Sequence, residues 1–185
     1  MGRLLGLITA GFLGLAVFIS YVLFAPGILF QRQLALVTDG QPSNRFFVLD
    51  AARQTQLVAT TTRMAVVGVC KFDLAAGDIV LQAKLPRAYW TLSIYTQSGK
   101  QVYGLNDVQA GAAEFNVELS RSKTFLQQLL ANAPAEDAAQ IENLGWHAES
   151  TERYGIAVVW IPLADELMRP AIEGTIKTSR CDLKN

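Results

Sequence analysis

The sequence predicts an α+β fold: a mainly antiparallel β-sheet or sandwich-like domain with two or three helices, preceded by one N-terminal transmembrane helix. Three observations predict it. A run of 28 residues, from Leu4 to Gln31, carries no charge. Beyond it, short β-branched or alternating segments recur between Gly, Asp, Asn and Pro turn residues. Apolar residues at helical spacing appear in only a few later stretches. The expected division is residues 1–30 as a transmembrane signal anchor, 31–64 as a connecting segment, and 65–185 as the β-rich domain.

The anchor comes first. From Leu4 to Ala25 the chain is rich in Leu, Ile, Val and Phe, and Pro26 follows. A helix of that length spans about 33 Å, close to the hydrocarbon thickness of a bilayer. A cleaved signal peptide would have a shorter apolar core and a small-x-small cleavage site. Neither is present, so the segment reads as uncleaved and as the contact with the lipid bilayer. Arg3 and the free amino terminus lie on one side, Arg32 and Arg45 on the other. The nearer charges favour the N-terminus in the cytoplasm and the domain outside. The reading is a single-pass membrane protein with its main domain outside the cytoplasm.

The elements follow in order. Pro42, Ser43 and Asn44 signal a turn, and residues 46–49 a short strand. Residues 51–62 read as either a polar helix or a loop. Residues 65–74 are β-branched and apolar, residues 75–78 turn, and residues 79–83 return, which predicts a hairpin. Leu85, Pro86 and Arg87 break the chain. In the next strand Trp90, Leu92 and Ile94 alternate with Thr91, Ser93 and Tyr95. Residues 97–100 turn it and residues 101–105 pair back, with Asn106 and Asp107 at the end. Phe115, Val117 and Leu119 share one face of a further strand. Ser120 or Ser122 then caps a helix striped by Phe125, Leu126, Leu129 and Leu130. Residues 140–147 read as a strand turned by residues 150–153 into a buried strand over 155–161. Pro170 opens a last helix with Ala171, Ile172 and Ile176 inward.

Chemistry-bearing patterns are few. Lys+Arg and Asp+Glu balance at 16 each, so there is no basic surplus for nucleic acid. His147 is the only histidine; with no Cys or His at ligand spacing it builds no zinc site. No G-x-S-x-G, G-x-G-x-x-G or Walker pattern occurs. The sequence therefore assigns no catalytic, cofactor-binding or metal-binding residue, and it implies no cofactor. Asp73, Asp78, Asn106 and Asp107 at strand ends read as turn chemistry, or as a carboxylate cluster if those ends converge. Trp90, Tyr95, Tyr103, Asn106 and Asp107 form a possible binding surface, with Tyr95 and Tyr103 meeting across one hairpin; core packing is the alternative for the aromatic residues. Cys70 and Cys181 are the only two cysteines. An oxidising compartment would let them pair; two buried free thiols are the other possibility.

The stretch Cys70-Lys71-Phe72-Asp73-Leu74, then Gly77, Leu85-Pro86, the run from Tyr89 to Tyr95, and Leu105-Asn106-Asp107 resembles a bacterial family. The family is that of single-anchor membrane proteins known as domain of unknown function 1254. The strand over 155–161 and the terminal Arg180-Cys181 resemble the end of that family. The resemblance implies an inner-membrane protein with one N-terminal helix and a β-rich domain, and it carries over no catalytic residue. Because longer relatives join this domain to one of type 1214, it also implies a second membrane-anchored protein of the 1214 type as a partner.

Two functional readings follow. One is a non-enzymatic envelope protein that binds a partner protein through its β-rich domain. The other is an enzyme or small-ligand binder with a site at strand ends, shared with a partner chain.

Overall fold

The computed structural model describes residues 2–57, 64–86, 88–122 and 145–184. Two sheets pack face to face in an α+β sandwich. The first has five strands: β1 (Phe46–Val48), β2 (Ala65–Asp73), β4 (Thr91–Thr96), β5 (Gln101–Asn106) and β8 (Tyr154–Pro162). Their order is β1-β2-β8-β4-β5, antiparallel throughout. The second holds β3 (Ile79–Lys84), β6 (Glu114–Arg121), β7 (Trp146–Ser150) and β9 (Arg180–Leu183), in the order β7-β6-β3-β9. Here β6 and β7 run parallel. A parallel pair needs a long crossover, and 24 residues separate Arg121 from Trp146.

The core lies between the two inner faces. Trp90, Leu92 and Ile94 of the first sheet meet Leu81, Phe115, Val117 and Leu119 of the second, all buried. Helix α4 (Arg169–Thr178) buries Ile172 and Ile176 along the β1–β2 side. Ile176 fits because β2 has Gly68 beneath it: a methyl there would lie 2.6 Å from Ile176 Cγ2. Ala171, expected inward, is exposed.

The first sheet is also covered on its outer face. Helix α1 (Gly2–Val37) runs through Pro26 without a break. Its last turns lay Leu34 and Val37 on Val67, Val69 and Ile156, beside Leu49. Phe30 meets the Tyr95 ring at 6.2 Å. Strands β2 and β8 are thus buried on both faces, which explains their continuous apolar sequence. The second sheet keeps one face to solvent, so β6 alternates. Residues 31–57 are not a free connector. They supply the docked end of α1, the edge strand β1, and α2 (Ala51–Leu57), which packs near α1.

Of the three expected hairpin turns, only that over residues 97–100 makes a hairpin, joining β4 to β5. β2 and β3 lie in different sheets, and so do β7 and β8. The bend after β2 is an arch between layers. Leu74 N–H donates to the Arg153 carbonyl on one side, and Asp78 accepts from Lys184 N–H on the other. Nine residues of β2 instead register with β8. Ser120 lies inside β6 rather than capping a helix. The helix expected over 123–133 and the strand start at 140–144 fall outside the described residues.

The arch is clamped by charge. Arg153 Nε and Nη2 donate to Asp73 at 2.8 and 3.1 Å, and Ala75 N–H donates to Asp73 Oδ1 at 2.9 Å. The Arg153 guanidinium, foremost, holds the Asp73 carboxyl below its ordinary value of 3.8. A carboxyl with a lowered folded value stabilises fully above its unfolded value, near 4. That contribution is lost as the pH falls through the lower folded value. The wild-type urea midpoint is therefore expected to drop on acidification below about pH 4. Asp73→Asn should lower the neutral-pH midpoint slightly, because the pair is solvent-exposed, and flatten this acid limb. Urea titrations across the acid range check both.

Candidate functional site

Three connections build a cleft at one end of the sandwich. The β3–β4 loop contributes Pro86, Ala88, Tyr89 and Trp90; the short helix α3 (Asp107–Ala110) contributes Asp107; the loop after it contributes Gly111, Ala112 and Ala113. The cleft encloses about 700 Å³. Its frame is local hydrogen bonding. Asn106 N-caps α3: its Oδ1 accepts from Gln109 N–H at 2.8 Å, and Gln109 Oε1 accepts from Asn106 N–H at 3.1 Å. Such a reciprocal cap fixes the first turn. Gly111 ends the helix at φ +63°, where a glycine is favoured. Asp107 N–H donates to the Trp90 carbonyl, and Leu85 N–H to the Ala113 carbonyl.

Among the described residues one buried atom there has no partner: Asp107 Oδ1 is shielded from solvent and accepts no hydrogen bond from them. A buried carboxylate oxygen without a donor is costly, so this oxygen is an acceptor with unused capacity beside the cleft.

Exposed apolar side chains gather at the same end. Val108 on α3 is 78% exposed and Tyr89 48%. β2 begins and β8 ends here, with Ala65 opposite Pro162. Met64, just before β2, and Leu167 and Met168, just after β8, are exposed as well. Arg169 Nη1 ties this segment to the Ala65 carbonyl at 3.2 Å. Tyr89 packs edge-on against Trp160 at 6.1 Å.

The residues expected as one binding surface are not brought together. Trp90 is 1% exposed and stacks on Phe115 as the cleft floor. Tyr95 faces α1 on the outer side of its sheet, whereas Tyr103 packs against the inner core. The regular register of the hairpin pairs Tyr103 with inward-facing Ile94, so the two tyrosines lie on opposite faces and do not meet. Burial raises the Tyr103 hydroxyl pKa. Asn106 is consumed by capping. Of the five, Asp107 is the one that lines the cleft with a side-chain oxygen left without a donor among the described residues. The sequence signal for this end was the pairing of Asn106-Asp107 with the Leu85-Pro86 break; Val108, Leu167 and Met168 carried none.

The strand-end carboxylates do not converge. Asp73 and Asp78 sit at the arch, at the end of the sandwich away from Asp107. His147 is exposed on β7. Its Nε2 lies 3.0 Å from Ser120 Oγ and 3.9 Å from Glu149 Oε1. Both neighbours meet the same ring nitrogen, whereas a catalytic triad needs the carboxylate on the other one. No group of three or more His, Cys, Asp or Glu side chains suited to a metal forms among the described residues.

Cys70 of β2 and Cys181 of β9 are bonded, with Cα atoms 6.5 Å apart. The bond joins the two sheets.

The chain matches no known family model and no curated protein. Its fold is similar to that of two solved structures. One is the VPA0106 protein from Vibrio parahaemolyticus, with a TM-score of 0.55 at 10% identity over 85% of this chain and 36% of that one. The other is an uncharacterised protein from Burkholderia cenocepacia, with a TM-score of 0.44 at 13% identity over 66% of this chain and 32% of that one. The chain thus spans about a third of the length of each; the first likeness identifies the sandwich as a known fold, here carrying a helix long and apolar enough to cross a bilayer.

Proposed function

We propose that this chain is a single-pass protein of the bacterial inner membrane, akin to the 1254 family, whose periplasmic sandwich binds a partner protein. The observation that carries this is the end of the sandwich where β2 begins and β8 ends. There Tyr89, Val108, Leu167 and Met168 are exposed beside a cleft with an Asp107 oxygen unpartnered among the described residues. Exposed apolar groups around a concave polar anchor suit a protein interface. The resemblance names the partner's type: a second membrane-anchored protein of the 1214 kind, with a cationic side chain for Asp107.

The test is affinity purification of the full chain in mild detergent, with mass spectrometry of what accompanies it. A stoichiometric second protein that is lost from Val108→Asp is the expected result. Equal recovery with Val108→Asp would overturn the interface. The cleft itself favours a second reading, a small-ligand site closed by a partner. A copurifying small molecule lost from Asp107→Asn, with no second protein, would select it. A phosphatase fused after Asn185 should be active; an active cytoplasmic reporter at that point would reverse the topology.

A further inference from the structure

A groove of about 280 Å³ runs beside the docked part of α1, lined on one wall by Gln31, Leu34 and Thr38. The other wall holds Lys71, Gln97 and Tyr154. Its position follows from α1. The exposed apolar side chains of this helix run to Leu29, with Leu36 exposed once more further on, and exposed Gln31, Arg32 and Gln33 lie between. If the apolar length lies in hydrocarbon, Gln31 enters the headgroup layer, which is roughly 5–8 Å deep on each side. The β4–β5 turn packs against the helix beside this groove. A methyl on Gly99 would lie 2.9 Å from Phe30, and one on Gly27 would lie 3.5 Å from the Ser98 carbonyl.

Lys71 is out of keeping with its row. It continues Val67 and Val69 on the face that α1 covers, and it is half-buried. The nearby carboxylates are already engaged. Asp73 is held by Arg153, and Glu152 accepts from the Ser98 N–H and hydroxyl. Lys71 has no ion pair among the described residues. The groove therefore offers one ammonium that makes no salt bridge among the described residues and acts on Asp73 only at a distance, together with the amides of two glutamines, against an apolar helix wall that leads down to the lipid. That is the chemistry of a phosphate head with acyl chains below it.

We propose that this groove holds the headgroup of an anionic phospholipid, with Lys71 on its phosphate, and so fixes how the sandwich stands on the membrane. The proposal rests on α1 being the membrane segment, and the experiment separates the two. The full chain is reconstituted in nanodiscs of phosphatidylcholine and phosphatidylglycerol, the latter bearing a photoreactive headgroup, and crosslinked peptides are mapped. Crosslinks at Gln97 or Tyr154 are expected. In Lys71→Gln they should fall roughly fivefold, the weight of one basic side chain at an anionic surface. Circular dichroism and the retained Cys70–Cys181 bond verify that the variant folds. Groove crosslinks unchanged by Lys71→Gln, or absent while the protein remains inserted, overturn the proposal. Displacement by inorganic phosphate as effective as by added phosphatidylglycerol would also overturn it, because the site would then recognise a free anion. Failure of the chain to insert in the nanodiscs would instead refute the reading of α1.

Discussion

Reduced protein is expected to be about 4–5 kcal/mol less stable than oxidised protein, the largest single effect we foresee. The Cys70–Cys181 bond closes a loop of 111 residues in sequence separation. Closing so long a loop removes much of the entropy of the unfolded chain. Both cysteines are buried, at 0% and 3% exposure, so serine in their place would add the cost of an interior hydroxyl. Urea unfolding of the full chain in detergent, oxidised against reduced, measures the difference. Coincident midpoints would refute it, and so would two free thiols per chain in denatured, unreduced protein. Cys70→Ser should also speed tryptic cleavage after Arg180 without altering membrane insertion. β9 would then be held by its ladder to β3, the Lys184 N–H to Asp78 bond, and the exposed Lys184–Glu118 ion pair.

Trp90→Ala is expected to cost about 3–5 kcal/mol. The indole is nearly inaccessible and its ring centroid lies 5.5 Å from that of Phe115. Its removal would leave a void between the sheets, and such a void collapses only partly. The Trp90 carbonyl also receives the Asp107 N–H, so the cleft floor and the start of α3 would loosen together. Val108→Ala, at the exposed mouth of the same cleft, should change stability by less than about 0.5 kcal/mol. Thermal or urea unfolding of the two variants compares floor with mouth. Equal losses would mean that Val108 is packed rather than presented. The small effect expected at Val108 is also what makes loss of a partner from Val108→Asp interpretable.

Much of the fold is legible residue by residue. The uncharged run after Arg3 forms the long bare part of α1. The alternation of Trp90, Leu92 and Ile94 against Thr91, Ser93 and Tyr95 gives β4 one buried face and one half-buried face. Phe115, Val117 and Leu119 do the same for β6. Pro170 stands in the first turn of α4. The continuous apolar runs in β2 and β8 mark strands covered on both sides. The candidate site was less legible. Asn106-Asp107 marked a strand end, but only the fold shows that Asn106 is spent on a cap while Asp107 is left open.

What the sequence by itself determined is thus which segments are helix or strand and which of their faces avoid water, because side-chain period and turn chemistry are local properties. Beyond the β4–β5 hairpin, only the tertiary structure decided which strands pair. It sent β2 to β8 and β3 to β6 across what read as a hairpin, set Tyr95 and Tyr103 on opposite faces, brought Cys70 to Cys181, and folded the end of α1 onto the first sheet. The physical reason is that a strand's ladder bonds are alike with any partner. The partner is chosen by which arrangement buries every apolar face at once, and that sum is taken over residues far apart in the chain.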